Sequence, residues 1–539
     1  MTIAVHCLFH LHLDSTSATF ATTYTIFNTN AMSLTFLPTV AFFLWASLLT
    51  TTTTAPFVDA TPLDDYVNKP DDTFNYTYSG ITREGNGWVA YMYTMYSQKW
   101  LTPEDTDRHI WWHHMAIVVP NYIEKKRHNA FMYITGGGND NIHSFPKADD
   151  EGMIIVAALA VGSRTIGAVL WQVPNQPIRF SCDPFHKDRS EDAAIALTWW
   201  HFINNTTDPE WILELPMTKS GVKALDMMQE VVPLYNGGTP ITGFGVAGAS
   251  KRGWTTWLVG AVDKRVIAII PIVLDALKFI EFAHRQFRMY NGWTFALQDY
   301  YAMNFTQDLD LPATTQLARI VDPYFYLHRL TMPKLAINAG GDEFQMPDDQ
   351  RHWGHAAPGE MNFLLVKNAE HSMATGVFEV IQSAGAFLQA VNHNYPRPQS
   401  NWSIDAASGN ITVWTNVVPK VVTISYADSA GDVSKGKRDF RWAALNVSFC
   451  PVRIFGGCVR PVLWTTTKDV ERLSPTSFRA AFPFPTDGTW RAFMIEMQWP
   501  NPVGQDDFYF TSPASVVPPT YPFPGCGGDT GISCRGTLM

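Results

Sequence analysis

Cysteine is scarce in this chain, with six in 539 residues. None falls in a C-x-x-C pair or in the Cys/His spacing that zinc sites use, so no metal is expected and no other cofactor is implied. Charged residues make up only 16%, and the net charge of −10 is spread along the chain rather than gathered in blocks. A basic patch interleaved with aromatics is missing, which argues against nucleic acid as a partner. Also missing is an apolar run of the roughly 20 residues that a membrane span requires. The run from Leu34 to Leu49 is shorter and is broken by Pro38, so no stable span is expected.

What the chain does have is core material. Hydrophobic residues make up 46% and aromatics 13%, including 19 Trp and 34 Phe, which excludes a disordered tail and suffices for aromatic-lined clefts. The length suggests about two to four domains.

The Leu34–Leu49 run has the length of a secretory h-region, and Val58-Asp-Ala60 offers a small-x-small cleavage site before Thr61. Met32 stands just ahead of it. Residues 1–31 therefore read as upstream read-through and 32–60 as a signal peptide, making the mature chain secreted. Seven N-x-S/T sequons agree with this, at Asn75, Asn204, Asn205, Asn304, Asn401, Asn410 and Asn446, with none before residue 61. Of the five cysteines beyond the cleavage site, Cys450 with Cys458 and Cys526 with Cys534 form two close pairs, which suggests two local disulfides and leaves Cys182 free.

Residues 61–85 are polar and read as an irregular, solvated lead-in. Strand-like runs follow at 87–96, 110–119 and 130–134, the last ending in Thr135-Gly-Gly-Gly138. Helix and strand then alternate: helices at 153–160, 191–201 and 213–235, and strands at 166–171, 241–250, 266–273, 334–338 and 361–366, closed by a helix at 373–392. Buried apolar runs alternating with helices predict an α/β fold with a doubly wound, mostly parallel sheet covered on both faces. That domain spans 61–395 and holds an aromatic-rich insertion at about 276–330. The insertion is either a lid over a cleft or a helical subdomain with an aromatic core of its own. Past Pro396 the period becomes two, and short strands separated by turns predict a β-sandwich over 396–520. Residues 521–539 form a Pro/Gly-rich, Cys-containing tail with no candidate constellation of its own.

The chemistry centres on Gly248-Ala-Ser250-Lys-Arg252-Gly253. A strand reversing sharply into a helix needs small residues beside its apex, and in the G-x-S-x-G elbow the apical serine is held clear of the sheet. Here Gly248 is in place, but Arg252 occupies the position two after the serine and the glycine follows one later. A nucleophilic serine requires a base and a carboxylate to orient it, and in such sheets they follow in the order Ser, acid, His at the carboxyl ends of strands. Asp342 follows strand 334–338 and His371 follows strand 361–366, which makes Ser250, Asp342 and His371 the candidate triad. Competing acids are Glu343, Asp348, Asp349 and Asp275; competing histidines are His352, His355, His113 and His114. The last two are adjacent on a strand, so they face opposite ways and read as packing or surface residues. The oxyanion needs backbone donors. The N–H of Lys251 is expected to be one, and Gly136, Gly137 and Gly138 are placed to supply the other. Arg252 would support the site by charge or cross to a carboxylate elsewhere.

The segment Gly248-Ala-Ser-Lys-Arg-Gly-Trp-Thr-Thr-Trp257 resembles the PhoPQ-activated pathogenicity-related family, which also contains secreted autocrine proliferation repressor proteins. Ile134-Thr-Gly-Gly-Gly-Asn139, Gln172-Val-Pro-Asn-Gln-Pro177, Gly341-Asp-Glu-Phe344 with Pro347-Asp348, and Asn368-Ala-Glu-His371 match it too, from about residue 62 to 523. The Ser-x-x-Gly spacing is also similar to that of glucuronoyl esterases, whose elbows carry a basic residue after the serine. The resemblance implies an α/β-hydrolase fold with a β-sandwich appended and a triad at Ser250, Asp342 and His371. Two functions follow as expectations: a secreted serine hydrolase acting on a small-molecule ester or a peptide, or a secreted signalling protein that meets a cell-surface receptor on the same scaffold.

Overall fold

A computed structural model of the chain describes residues 60–124, 128–430, 436–444, 452–454, 457–460 and 462–539. Residues 1–59, and with them nearly all of the expected read-through and signal segments, lie outside the described residues, as do Asn446 and Cys450. Residues 61–539 form one compact unit.

The unit does not begin with an irregular lead-in. Thr61 caps helix α1 (Pro62–Asn68) in a capping box with Asp64, with Pro62 at its first turn, and the helix buries Leu63, Tyr66 and Val67. Strand β1 (Asn75–Gly85) follows. It is an edge strand exposed along most of its length, so its sequence carries no apolar alternation to announce it.

Next come β2 (Trp88–Lys99), β3 (Ile110–Pro120), β4 (Asn129–Ile134), α2 (Glu151–Ser163) and β5 (Gly167–Leu170). A two-residue pair, β6 (Ile178–Arg179) and β7 (Asp188–Arg189), precedes α3 (Asp192–Asn204) and α4 (Glu214–Val231). The elbow lies between β8 (Gly243–Ala249) and α5 (Lys251–Val262), and β9 (Val266–Ile272) follows. The insertion holds α6 (Phe279–Tyr290), α7 (Gln298–Ala302) and α8 (Pro312–Val321), and then come β10 (Lys334–Ala339), β11 (Met361–Val366) and α9 (Val377–Asn392).

The main sheet runs β1-β2-β3-β5-β4-β8-β9-β10-β11, antiparallel up to β5 and parallel from β5 to β11. Alternate residues serve opposite faces. Ala268 and Ile270 of β9 join the core that includes α2 and α9. Ile269 between them faces α5, where a Cβ on Gly260 would lie 2.9 Å from its Cγ2. Residues buried on both faces explain why these strands read as unbroken apolar runs. Among the described residues no helix is long and apolar enough to cross a membrane.

The remaining strands are β12 (Ser400–Ile404), β13 (Ile411–Thr415), β14 (Val421–Asp428), β15 (Ala443–Ala444), β16 (Val452–Ile454), β17 (Gly457–Val459), β18 (Thr465–Thr467), β19 (Glu471–Ser474), β20 (Ser477–Ala480), β21 (Arg491–Trp499), β22 (Phe508–Thr511) and β23 (Ser515–Val517). Nine of them make two layers, and β15, β17 and β16 form a separate three-stranded sheet. One layer, β12-β13-β20-β19, packs Val413 and Phe478 against Ile424, Phe493 and Ile495 of the other. That other layer, β22-β21-β14-β18 with β23, is continuous with the main sheet, because β22 pairs antiparallel with β11 through Phe363 and Thr511. A single sheet of 14 strands therefore runs from the N-terminal edge into the C-terminal sandwich.

The tail is anchored to the insertion. Cys526 and Cys534 are disulfide-bonded. The Trp293 backbone exchanges hydrogen bonds with Thr537 and Met539 (2.8 and 2.9 Å), and its indole N–H donates to the Cys534 carbonyl at 2.9 Å. Cys182 is a buried free thiol.

Candidate active site

Ser250 sits at the apex between β8 and α5 with φ 58° and ψ −127°. This is a conformation that non-glycine residues adopt at a cost of about 1–3 kcal/mol and that the surrounding structure must enforce. The Ser250 N–H donates to the Ile272 carbonyl at 2.8 Å, fixing the turn to β9. The glycine spacing has a steric cause. A Cβ on Gly248 would lie 2.6 Å from the Arg252 carbonyl oxygen, and one on Gly253 2.8 Å from the Ile272 carbonyl oxygen. The close approach on the helix side therefore falls three residues after the serine, and position 252 is open to a long side chain.

Asp342 follows β10 and is 2% exposed. Its Oδ1 accepts the Phe344 and Gln345 N–H groups at 2.7 and 3.0 Å. His371 follows β11, its Nδ1 lying 2.9 Å from both Asp342 oxygens and its Nε2 2.8 Å from Ser250 Oγ. Burial disfavours the imidazolium, but the charge and hydrogen bond of Asp342 outweigh it and raise the His371 pKa above the usual histidine value. The Phe344 ring packs 4.4 Å from the His371 ring and fixes its plane.

The competing acids are engaged elsewhere. Glu343 accepts the His371 backbone N–H (3.1 Å) and that of Ala443 (2.9 Å), and burial followed by repulsion from Asp342 pushes it up to about 7. Asp348 pairs with Arg438 at 2.6 Å, and Asp349 with Arg285 at 3.3 Å. Asp275 is buried behind the site, where burial and the charge of Asp349 raise its pKa well above the carboxylate range. Among the histidines, His113 bonds Ser97 (2.9 Å) and His114 bonds the Ile142 carbonyl (2.8 Å), both buried as packing residues, while His355 stacks on Trp402.

Arg252 crosses to a carboxylate. Its guanidinium forks onto Glu191 at 2.6 and 2.7 Å and donates to the Val173 carbonyl. It lies so close to Gly136 that a Cβ there would meet Nη2 at 2.5 Å. Gly136 is therefore a packing requirement of Arg252. Gly137 and Gly138 are exposed, and neither lines the cavity that holds Ser250 and His371. The Lys251 N–H opens α5 and so has no intrahelical acceptor, while its Nζ reaches Glu191 (3.0 Å) and Asp192 (2.9 Å). Burial opposes ionisation of Glu191, yet Arg252 and Lys251 hold it far below the usual carboxylate range. Gln176 bonds it from the other side, in a segment whose bonds to Pro174 and Pro177 are cis.

Sequence reasoning missed Glu191, Asp192 and Gln176. The available signal was chemical: two adjacent cations beside the serine of a buried elbow require anionic partners. The aromatics of the insertion resolve the two readings by splitting. Phe279, Phe282, Trp293, Tyr300 and Phe305 line the cavity over Ser250, whereas Phe287 and Tyr290 do not and pack on Trp293 and Arg441. Of the sequons, Asn75, Asn204, Asn205, Asn304 and Asn401 are exposed and Asn410 is half-buried. His284 lies beside Cys526 and Cys534, but those sulfurs are bonded to each other and the imidazole pairs with Asp310 at 2.7 Å.

Strand, sharp turn and helix, with serine, histidine and aspartate in one hydrogen-bonded line at the carboxyl ends of β8, β11 and β10, place the fold in the α/β-hydrolase class. Solved structures to which the chain is similar include acetyl xylan esterase 1 from Thermoanaerobacterium sp. JW/SL YS485 (12% identity, 62% of this chain and 94% of that one, TM-score 0.41) and Est1E from Butyrivibrio proteoclasticus (10% identity, 58% and 98%, TM-score 0.32). Within that class the chain belongs to the PhoPQ-activated pathogenicity-related protein family, whose profile matches residues 63–441. Autocrine proliferation repressor protein A of Dictyostelium discoideum is 38% identical over 486 residues, covering 87% of this chain and 92% of the relative.

Proposed function

We propose that the protein is a secreted serine hydrolase that cleaves an ester or amide by acyl transfer. The observation that carries this reading is the hydrogen-bonded line from Ser250 Oγ through His371 to Asp342. In this reading Oγ attacks the substrate carbonyl while His371 Nε2 takes its proton. Asp342 holds Nδ1–H, fixing the tautomer and stabilising the imidazolium. The developing oxyanion meets the Lys251 N–H at the positive end of α5. His371 then returns the proton to the leaving group, and water attacks the acyl-enzyme by the same route in reverse. Secretion fits the disulfide between Cys526 and Cys534.

A second reading is favoured by the name of the Dictyostelium relative: a signalling protein that acts on a cell-surface receptor without catalysis. The two are separated by exposing the secreted protein to a fluorophosphonate probe beside Ser250→Ala. Labelling that vanishes in the variant supports the hydrolase. A folded protein that takes no label leaves the signalling reading.

A further inference from the structure

A cavity opens above Ser250, lined by side chains of α3, α5 and the insertion. Its walls are apolar: Trp199 from α3, Trp254 from α5, and Phe279, Phe282 and Phe305 from the insertion. Trp199 stacks on Phe279 (5.4 Å, 22°) and meets Trp254 edge-on (5.6 Å, 79°), so the walls are rigid aromatic surfaces. The charges that reach the cavity are already paired. Asp192 is held by Lys251 Nζ at 2.9 Å and by the Tyr300 hydroxyl at 3.0 Å, and Lys251 also meets Glu191. Among the described residues that line the cavity, Asp192 and Lys251 are thus both paired, and a polar guest would lose its hydration against aromatic walls.

We infer that the substrate is an ester carrying an apolar group, an aliphatic chain or an aryl ring, seated against Trp199, Trp254 and Phe282 with its carbonyl at Ser250. The inference rests on the hydrolase reading above. The chemistry balances as ordinary acyl transfer. The bond from Ser250 Oγ to the acyl carbon forms as the ester C–O bond breaks, and the serine proton passes through His371 to the departing alcohol. Water then releases the carboxylic acid and restores the serine.

Two ester series decide which side of the ester the cavity takes. In p-nitrophenyl esters from acetate to decanoate, each methylene that enters the cavity raises kcat/KM by about three- to fourfold until the space is full. In acetate esters of alcohols from methyl to decyl and naphthyl, the same rise would place the alcohol group there instead. A rise in either series supports the inference. Flat or falling rates in both, from protein whose Ser250 still takes a fluorophosphonate, overturn the substrate class and leave the hydrolase standing. Loss of labelling overturns both. Ala283→Trp, which fills the cavity from α6, is expected to lower the ratio of long-chain to short-chain kcat/KM at least about tenfold, since several buried methylenes lose their place. An unchanged ratio in labelled variant protein overturns the placement.

Discussion

Replacing Asp342 by Asn tests the site most sharply, because it changes one atom while keeping the shape. Asp342 is 2% exposed and faces two backbone donors and one imidazole nitrogen. In D342N the amide oxygen would keep the Phe344 and Gln345 N–H bonds, so the loop holds and the stability change stays near 1 kcal/mol, the worth of one buried hydrogen bond. The amide NH2 would then face Nδ1, which can only accept. That forces the proton onto Nε2, the nitrogen 2.8 Å from Ser250 Oγ, and the base has no lone pair left for the serine. Loss of a triad orienter by this tautomer trap costs about 10⁴ in kcat in a serine protease, equivalent to roughly 5 kcal/mol of barrier. The assay is the second-order rate of fluorophosphonate labelling together with ester hydrolysis, at matched Tm. Rates within tenfold of the parent would refute the assignment of Asp342 and bring back Glu343, which already sits on the His371 backbone.

Two further predictions concern the same cavity. Because Asp342 raises the His371 pKa and the base must be neutral, kcat/KM should fall as pH drops through a pKa above the usual 6.5, and that apparent pKa should move down in D342N; a profile flat from pH 8 to 5 would contradict it. Cys526→Ser opens the short loop that secures the tail, removing about 2–3 kcal/mol of constraint on the entropic account of disulfides. Since Trp293 lines the cavity and is held by Cys534, Thr537 and Met539, KM for apolar esters should rise with little change in kcat; an unaltered KM would show that the tail does not support that wall.

The sequence by itself determined the frame that carries the candidate site. Strands β8, β10 and β11 are short apolar runs buried on both faces, and a strand's carboxyl end is where its loop must emerge. Ser250, Asp342 and His371 were therefore legible as loop residues of one sheet edge, in the order that edge imposes. The glycine displaced to position 253 was visible as a departure, but its cause, the approach of α5 to the Ile272 carbonyl, exists only in three dimensions. Tertiary structure alone decided the partner of Arg252, because Glu191 lies 61 residues upstream and local periodicity carries no information across that distance. It decided that one layer of the sandwich continues the main sheet, since pairing of β22 with β11 is an edge-to-edge choice between strands 146 residues apart that neither strand's pattern records. It also decided which insertion aromatics face the cavity and which clasp the tail: an aromatic's burial is written in its chemistry, but the surface that buries it is set by packing.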